Sequence, residues 1–442
     1  MSDEQIPAQG QTPTPEVEVE QVPVEQRAAH QEVAPPPAGN RILHEMLRSN
    51  WLISLLAIVL ALLVGAVLIA VTDPKVQAAS GYFFARPGDT LAAIWNAVSG
   101  AYLSLFQGAV YNPNRGAFVD AIKPLTETLT FATPLITAGL AMALTFRVGM
   151  FNIGGRGQIL IAAACAGWVS WSFALPAPLH ILLATVAAFV GGAIWAGIAG
   201  VLKARTGAHE VIVTIMLNYV AFFLISYLLK TPGALQAPGS NTPKSPPALP
   251  SAVYPNLSDL LGVGSFRLHL GFIFAILATI WLWYLLNRSS LGFRFRAVGE
   301  NPNAARVAGI SVTRVYVLAM LLSGGLMGLA AASQVLGTTT TGFASGVDAG
   351  IGFDAITVAL LGRSRPWGVF FSGILFGALK AGGYTMQASQ GIPIDIVLVV
   401  QSVIVLLIAA PPLVRAIFRL PKPGDAPRVR RARTATPEVV TK

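Results

Sequence analysis

The residues of this chain that could do chemistry are uncharged amides and hydroxyls placed within apolar sequence. One group follows a Gly-rich break, and its members are Asn152, Gly154, Gly155 and Gln158. A second pair, Thr214 and Asn218, is one helical turn apart. Amide side chains donate and accept hydrogen bonds without the cost of burying a charge. These residues predict a path for a neutral polar solute. The alternative is that they only support a helix break or bond to a neighbouring helix.

Asp354 begins a short apolar segment, and an acidic residue is favoured at the N-terminus of a helix. We predict that it lies either on the same path or at a helix cap. No chain of Asp, Glu, Lys or Arg residues is visible at the centre of the membrane segments. Proton-driven carriers normally need such a chain, which argues against an ion-coupled mechanism.

Motifs for catalysis and for cofactor binding are absent from the sequence. It contains no G-x-x-x-x-G-K-[ST] phosphate loop, no H-E-x-x-H, and no spacing of its five histidines that suits a metal. Its one cysteine, Cys165, excludes an internal disulfide and a cysteine-based metal cluster. We therefore predict that the chain is not an enzyme, needs no cofactor or metal, and binds no ATP through a phosphate loop of its own.

The stretch RAVGENPNAARVAGI, residues 296–310, interrupts the apolar sequence with a short polar helix. Asn301 is a favourable N-cap, and Pro302 suits the first helical position. Residues 303–308 then make two turns, and Gly309 ends them. A short helix between membrane segments is a feature that another protein could contact.

The elements that position these residues are membrane helices. The chain has 442 residues, of which 54% are hydrophobic and 11% charged, whereas soluble domains carry about 25% charged residues. We predict an all-α polytopic membrane protein with a disordered tail at 1–47, a transmembrane domain at 48–420 and a basic tail at 421–442. The basic tail follows the last apolar run, so membrane lipid is a better partner for it than nucleic acid.

Ten membrane segments are predicted from the apolar runs. They are Trp51–Val71, Leu125–Phe146, Gln158–Phe173, Ile181–Leu202, Val211–Leu229, Leu270–Leu286, Val315–Val335, Phe353–Leu361, Gly368–Ala381 and Ile394–Ile417. Lys and Arg are concentrated in the loops at 147–157, 203–208, 287–314 and 362–367. By the positive-inside rule these loops and both termini are cytoplasmic. Residues 91–110 are expected to form an interfacial or packed helix, or alternatively an eleventh crossing.

A weak internal repeat relates the two halves. The second segment leads into the break GMFNIGGRGQ, and the seventh leads into TTTTGFASGVDAGIGFD. In the predicted topology these breaks enter from opposite sides of the membrane, as in inverted-repeat transporters, where the substrate path lies between the repeats.

Four stretches, distributed along the chain between residues 151 and 383, resemble a known family. The loop helix carries A-A-x-x-x-G and is similar to the E-A-A-x-x-x-G coupling loop of ATP-binding-cassette (ABC) importer permeases, with Asn303 in place of the Glu. The others are FNIGGRGQILIAAA (151–164), HEVIVTIMLNYVAFFLISYLL (209–229) and GFDAITVALLGRSRPWGVFFSGILFGALKAGG (352–383). Together they resemble the branched-chain amino-acid and ribose permease family, and within it the nucleoside and simple-sugar branch. Arg156 stands where many members of that family have an acidic residue.

The resemblance implies one permease subunit of an ABC importer in a bacterial inner membrane. Its expected partners are cytoplasmic ATPase subunits that hydrolyse ATP, a second and homologous permease that forms a heterodimer with it, and an outer substrate-binding lipoprotein. The cargo implied is a nucleoside, with a simple sugar as the alternative; an ion-coupled carrier is the alternative of a different class. The residues expected to contact the ATPase are Arg294, Arg296, Glu300, Asn301, Ala304, Ala305, Arg306 and Gly309.

Overall fold

The computed structural model describes residues 50–262 and 266–419. This part of the chain is helical, with one isolated β-bridge between Asn256 and His269. Its α-helices are α1 (Asn50–Thr72), α2 (Pro74–Ser80), α3 (Pro87–Ala109), α4 (Phe118–Arg147), α5 (Gly155–Ser172), α6 (Ala177–Thr206), α7 (Glu210–Leu228), α8 (Leu257–Leu261), α9 (Gly271–Arg288), α10 (Ser290–Glu300), α11 (Pro302–Val307), α12 (Val312–Ala332), α13 (Ile351–Leu361), α14 (Pro366–Gln390), α15 (Asp395–Ala409) and α16 (Pro411–Ile417). A π-helical turn, Ser333–Thr338, extends α12.

Seven of the described helices are long and apolar enough to cross a membrane. They are α1, α4, α6, α7, α9, α12 with its π-helical turn, and α14. The other predicted segments coincide with α5, with the short apolar helix α13, and with α15 and α16. The prediction of an all-α polytopic membrane protein is confirmed. The number of ten crossings and the side of the termini stay predictions, and the two predicted tails lie outside the described residues.

The last two predicted segments differ from the structure in ways that have a physical reason. The ninth was expected to end at Ala381, but α14 continues to Gln390 because its polar last turns pack on α3. There Gln390 Nε2 donates to Ser104 Oγ at 3.2 Å. The tenth was expected to be continuous, but it ends before Pro411, whose ring and missing N–H do not fit a helix interior.

Residues 91–110 form most of α3, a helix packed along α14. A Cβ at Gly382 would collide with the carbonyl oxygen of Leu105, so the two backbones are in close contact. The structure thus shows a helix packed on α14, and the choice between an interfacial or packed helix and an eleventh crossing stays a prediction.

The core of the molecule surrounds α4, and the most apolar 18 residues of this helix are 83% buried. Beside it, α6 and α12 approach closely through small residues, because a Cβ at Gly192 would collide with the carbonyl oxygen of Gly324. Such small-residue contacts allow helix backbones to pack tightly in a membrane. This rigid core surrounds the point where α4 ends and the first break begins.

Candidate functional site

The first break is the non-helical segment 148–154 between α4 and α5. Gly149 has φ +74°, a left-handed conformation that glycine adopts without a Cβ clash. The break passes through protein, so its backbone groups need partners other than water. Side chains of α7, and that of Asn152 within the break itself, supply several of them.

Asn152 joins the break to two helices. Its side chain is fully buried. Its Oδ1 accepts hydrogen bonds from Gly154 N (2.8 Å) and from Gln158 Nε2 (3.1 Å). Its Nδ2 donates to Ser323 Oγ on α12 at 3.2 Å, and that hydroxyl donates to Ala141 O on α4 at 2.9 Å. The amide of Asn152 thus connects the break directly to α5 and α12, and through Ser323 to α4.

Polar side chains of α7 bond to the other edge of the break. Asn218 Oδ1 accepts from Gly157 N at 2.8 Å, and its Nδ2 donates to Ile153 O at 2.9 Å. Thr214 Oγ1 accepts from Ile153 N at 3.3 Å. Asn218 therefore bonds to a neighbouring element, which was one of its two predicted roles.

The six residues predicted in the first break and on α7 form one connected group, but all of them are buried within this chain. They are Asn152, Gly154, Gly155, Gln158, Thr214 and Asn218. Their hydrogen bonds join one another and the backbone of the break, so they fix the shape of the break. Direct contact with a solute stays a prediction.

The second break, residues 339–350, runs along α5. At one end of α5 the ring centres of Trp171 and Phe343 are 6.2 Å apart. At the other end, Arg156 Nε lies 3.5 Å from Asp348 Oδ1. The Arg156 guanidinium also lies 4.7 Å from the ring centre of Phe222 on α7. The two breaks therefore meet at Arg156.

This meeting point lies one helix length from the loop at 362–367. A Cβ at Gly352, in the first turn of α13, would collide with the backbone N of Arg156. From there α13 runs 11 residues to the next loop, a rise of about 16 Å and about half of a 30 Å hydrocarbon core. One ion pair, Arg156 with Asp348, thus joins the first turn of α5 to the second break.

Asp354 pairs with Lys380 of α14, with Oδ2 and Nζ 2.6 Å apart. The N-cap of α13 is Gly350, and no side chain caps that helix. The helix-cap interpretation of Asp354 was therefore wrong. The residue joins α13 to α14, and its place on a path stays a prediction.

The loop helix has the predicted local geometry. Asn301 Oδ1 accepts from the backbone N of Asn303 and of Ala304, both at 3.0 Å, which is an N-cap. The helix ends before Gly309, whose φ is +79°. Ala305, expected on the contact face, is buried at 4% exposure because that side of α11 packs on its own chain. Val307, which sequence analysis missed, is 91% exposed.

The three arginines expected beside α11 are separated in the structure. Arg294 and Arg314 line a pocket of about 410 Å³ with Gly309, and Arg306 is exposed. Arg296 lies in a different pocket, with Arg147 and Arg365. Only part of the predicted set therefore shares one surface.

The loop is in direct contact with the first break. A Cβ at Gly299, near the end of α10, would collide with the carbonyl oxygen of Arg147 at the end of α4. A Cβ at Gly149 would lie 3.3 Å from the carbonyl oxygen of Gly299. The backbone of α10 therefore packs directly against the end of α4 and the start of the break.

Comparison with known proteins decides the family. Residues 125–409 match the model for "Branched-chain amino acid transport system / permease component". The chain belongs to this family. The matched region contains both breaks, α7 and the whole loop around α11. The permease is therefore a multi-pass inner-membrane protein.

Three relatives extend the comparison. The permease is 36% identical over 377 residues to the guanosine ABC transporter permease protein NupP of Bacillus subtilis, covering 85% of this chain and 98% of the relative. It is 36% identical over 289 residues to the glucose ABC transporter permease protein TsgB13 of Haloferax volcanii (64% and 75%). It is 34% identical over 328 residues to the nucleoside ABC transporter permease protein NupB of Lactococcus lactis (72% and 89%). No solved structure matches the permease.

Proposed function

We propose that this permease is the membrane subunit of an ABC importer for nucleosides. The observation that carries the proposal is its similarity to NupP over nearly the whole length of that relative. The chemistry of the breaks supports it, because the site combines amides, one ion pair and an aromatic ring around a neutral total charge. A simple sugar is the second candidate cargo, favoured by the similarity to TsgB13.

The transport path runs past the meeting point of the two breaks. Charged side chains at membrane depth face protein or a water-filled cavity, because contact with lipid is costly. The Arg156 side chain is 33% exposed and that of Asp348 is 7% exposed. This surface of the permease therefore faces the path, which a second, homologous permease completes as a heterodimer. A lipoprotein on the outer side delivers the cargo.

ATP hydrolysis acts on the path from the cytoplasmic side. The exposed face of α11, with Ala304 and Val307, fits a groove of a separate ATPase subunit. Movement of that subunit displaces α10, and the contact of Gly299 with Arg147 transmits the displacement to the first break. Asn152 passes it on to α12. Coupling thus uses a chain of backbone contacts and hydrogen bonds.

Transport by the reconstituted assembly tests this function. The permease, its partner permease, the ATPase and the binding protein are placed in liposomes, and ATP-dependent uptake of guanosine, glucose and guanosine monophosphate is measured. We expect uptake of guanosine and exclusion of guanosine monophosphate, since the negative charge of its phosphate would be unpaired in the passage. Uptake of glucose without uptake of guanosine would identify a simple sugar, and not a nucleoside, as the cargo. ATP-independent uptake driven by an ion gradient would contradict the whole proposal.

A further inference from the structure

Three arginines surround one pocket at the ends of α9 and α14. The pocket has a volume of about 660 Å³. Its lining residues are Arg147, Trp283, Leu286, Asn287, Arg296, Arg365, Pro366, Trp367 and Gly368. Four helices meet here, because Arg147 ends α4 and Arg296 lies on α10.

The charge in this pocket is not balanced. Arg296 and Arg365 act repulsively on Arg147, whereas Glu300 is the attractive charge acting on it. Arg147 Nε donates to Ser364 O at 3.0 Å. In the described part of the chain, neither Arg296 nor Arg365 forms an ion pair. Like charges are costly to collect without a counter-ion, which indicates that an anion belongs in the pocket.

The backbone around Arg365 adds further donors. Pro366 is the first residue of α14, and no side chain caps that helix. The free N–H groups of the first turn, with the positive end of the helix dipole, favour an anion. Arg363 and Ser364 have φ of +53° and +51°, a strained turn that fixes the Ser364 carbonyl near Arg147.

Two features identify the membrane as the source of the anion. Trp283 and Trp367 line the pocket with 37% and 42% exposure, and tryptophan is typical of the membrane–water interface. Exposed apolar side chains continue from the pocket along both helices, including Ile280 on α9 and Phe371 on α14. A charged head group in the pocket would thus leave its acyl chains against an apolar surface.

We propose that this pocket binds the phosphate of an anionic phospholipid in the cytoplasmic leaflet. The arginines bind the phosphate oxygens, the planar guanidinium group being suited to bidentate contact. The tryptophans lie beside the glycerol backbone. The leaflet follows from the predicted cytoplasmic side of the loops at 287–314 and 362–367, and the proposal does not depend on the cargo. It also gives Arg296 a role other than the ATPase contact expected from its sequence position.

Native mass spectrometry of the full-length permease in neutral detergent tests the site. The protein is titrated with phosphatidylglycerol and, separately, with phosphatidylcholine, and we expect one phosphatidylglycerol to be retained preferentially. The double variant Arg296→Gln/Arg365→Gln should bind phosphatidylglycerol about 30-fold more weakly, because each arginine near the membrane surface contributes about 1 kcal/mol to binding. The control Arg288→Gln/Arg314→Gln removes the same charge from exposed positions outside the pocket and should bind normally.

Further measurements separate the possible outcomes. Equal weakening in both double variants would show diffuse attraction and overturn the proposal. Displacement of the lipid by equimolar inorganic phosphate would overturn the lipid assignment and identify free phosphate as the ligand. Loss of ATPase binding with unchanged lipid binding would make the pocket a protein interface. The double variant Arg296→Lys/Arg365→Lys should recover part of the lipid binding if its thermal midpoint is normal, because charge is kept and the bidentate geometry is lost.

Discussion

Arg156 and Asp348 are 192 positions apart in the chain, yet their side chains form an ion pair of 3.5 Å where the two breaks meet. Each residue belongs to a different half of the predicted inverted repeat. The pair thus connects the two halves across the predicted repeat.

Removing one member of this pair should impair transport. In Asp348→Asn the guanidinium of Arg156 loses its partner at membrane depth, so we expect ATP-dependent uptake to fall at least tenfold. The exchange variant Arg156→Asp/Asp348→Arg should recover part of the uptake, because it restores the attraction. Arg267→Gln is a matched control, since it breaks an exposed ion pair of similar length with Glu127 (3.4 Å) and should leave uptake unchanged. Normal uptake in Asp348→Asn would show that the pair is dispensable.

Asn218→Leu should destabilise the first break. It leaves the Gly157 N–H and the Ile153 carbonyl buried without their partner, at a cost of about 1–3 kcal/mol for each group. We expect a lower thermal midpoint and slower uptake, with ATPase binding retained because α11 is distant in sequence and fold. Met216→Leu changes the exposed face of the same helix and should be neutral. An unchanged midpoint in Asn218→Leu would show that other groups fix the break.

The sequence predicts best what depends on local chemistry. The N-cap at Asn301, Pro302 in the first turn and the end of α11 before Gly309 follow from neighbouring residues, and the structure has them. The ion pair of Arg156 with Asp348 depends on how a glycine-rich segment folds back along α5, which no local pattern encodes. The burial of Ala305 was missed for a similar reason. A helix of six residues shows too little periodicity to reveal which side faces its own chain.

The orientation in the membrane is tested by thiol labelling of intact cells in the Cys165→Ala background. Ser290→Cys, on the basic loop, should be shielded from an impermeant reagent, whereas Asn241→Cys should be labelled. Both positions are exposed in the structure, so a difference reports the side of the membrane. Labelling at position 290 in intact cells would invert the assigned topology and move the lipid pocket to the outer leaflet.

His269 should make stability depend on pH. Burial lowers its pKa from 6.5 to about 4, and its Nδ1 accepts from Gly271 N at 3.1 Å. The folded state therefore favours the neutral imidazole. The stability that the neutral form contributes is complete above pH 6.5 and is lost as the pH falls toward 4. At pH 5 the loss is about 2 kcal/mol. The thermal midpoint should fall between pH 7.5 and 5, and less so in His269→Gln. The exposed His209→Gln is the control, and an equal pH effect in both variants would contradict this account.

The ATPase contact is tested most directly at Val307. An apolar side chain that is 91% exposed at the end of α11 gains most from burial in a partner. Val307→Asp should therefore abolish copurification with the ATPase and nucleoside uptake, while the thermal midpoint of the permease alone stays normal. Ala305→Trp should also abolish uptake, but by destabilising the permease, because position 305 is buried. Thr313→Asp places the same charge on an exposed position in the first turn of α12 and should be neutral. Normal ATPase binding by Val307→Asp would exclude this face of α11 from the interface.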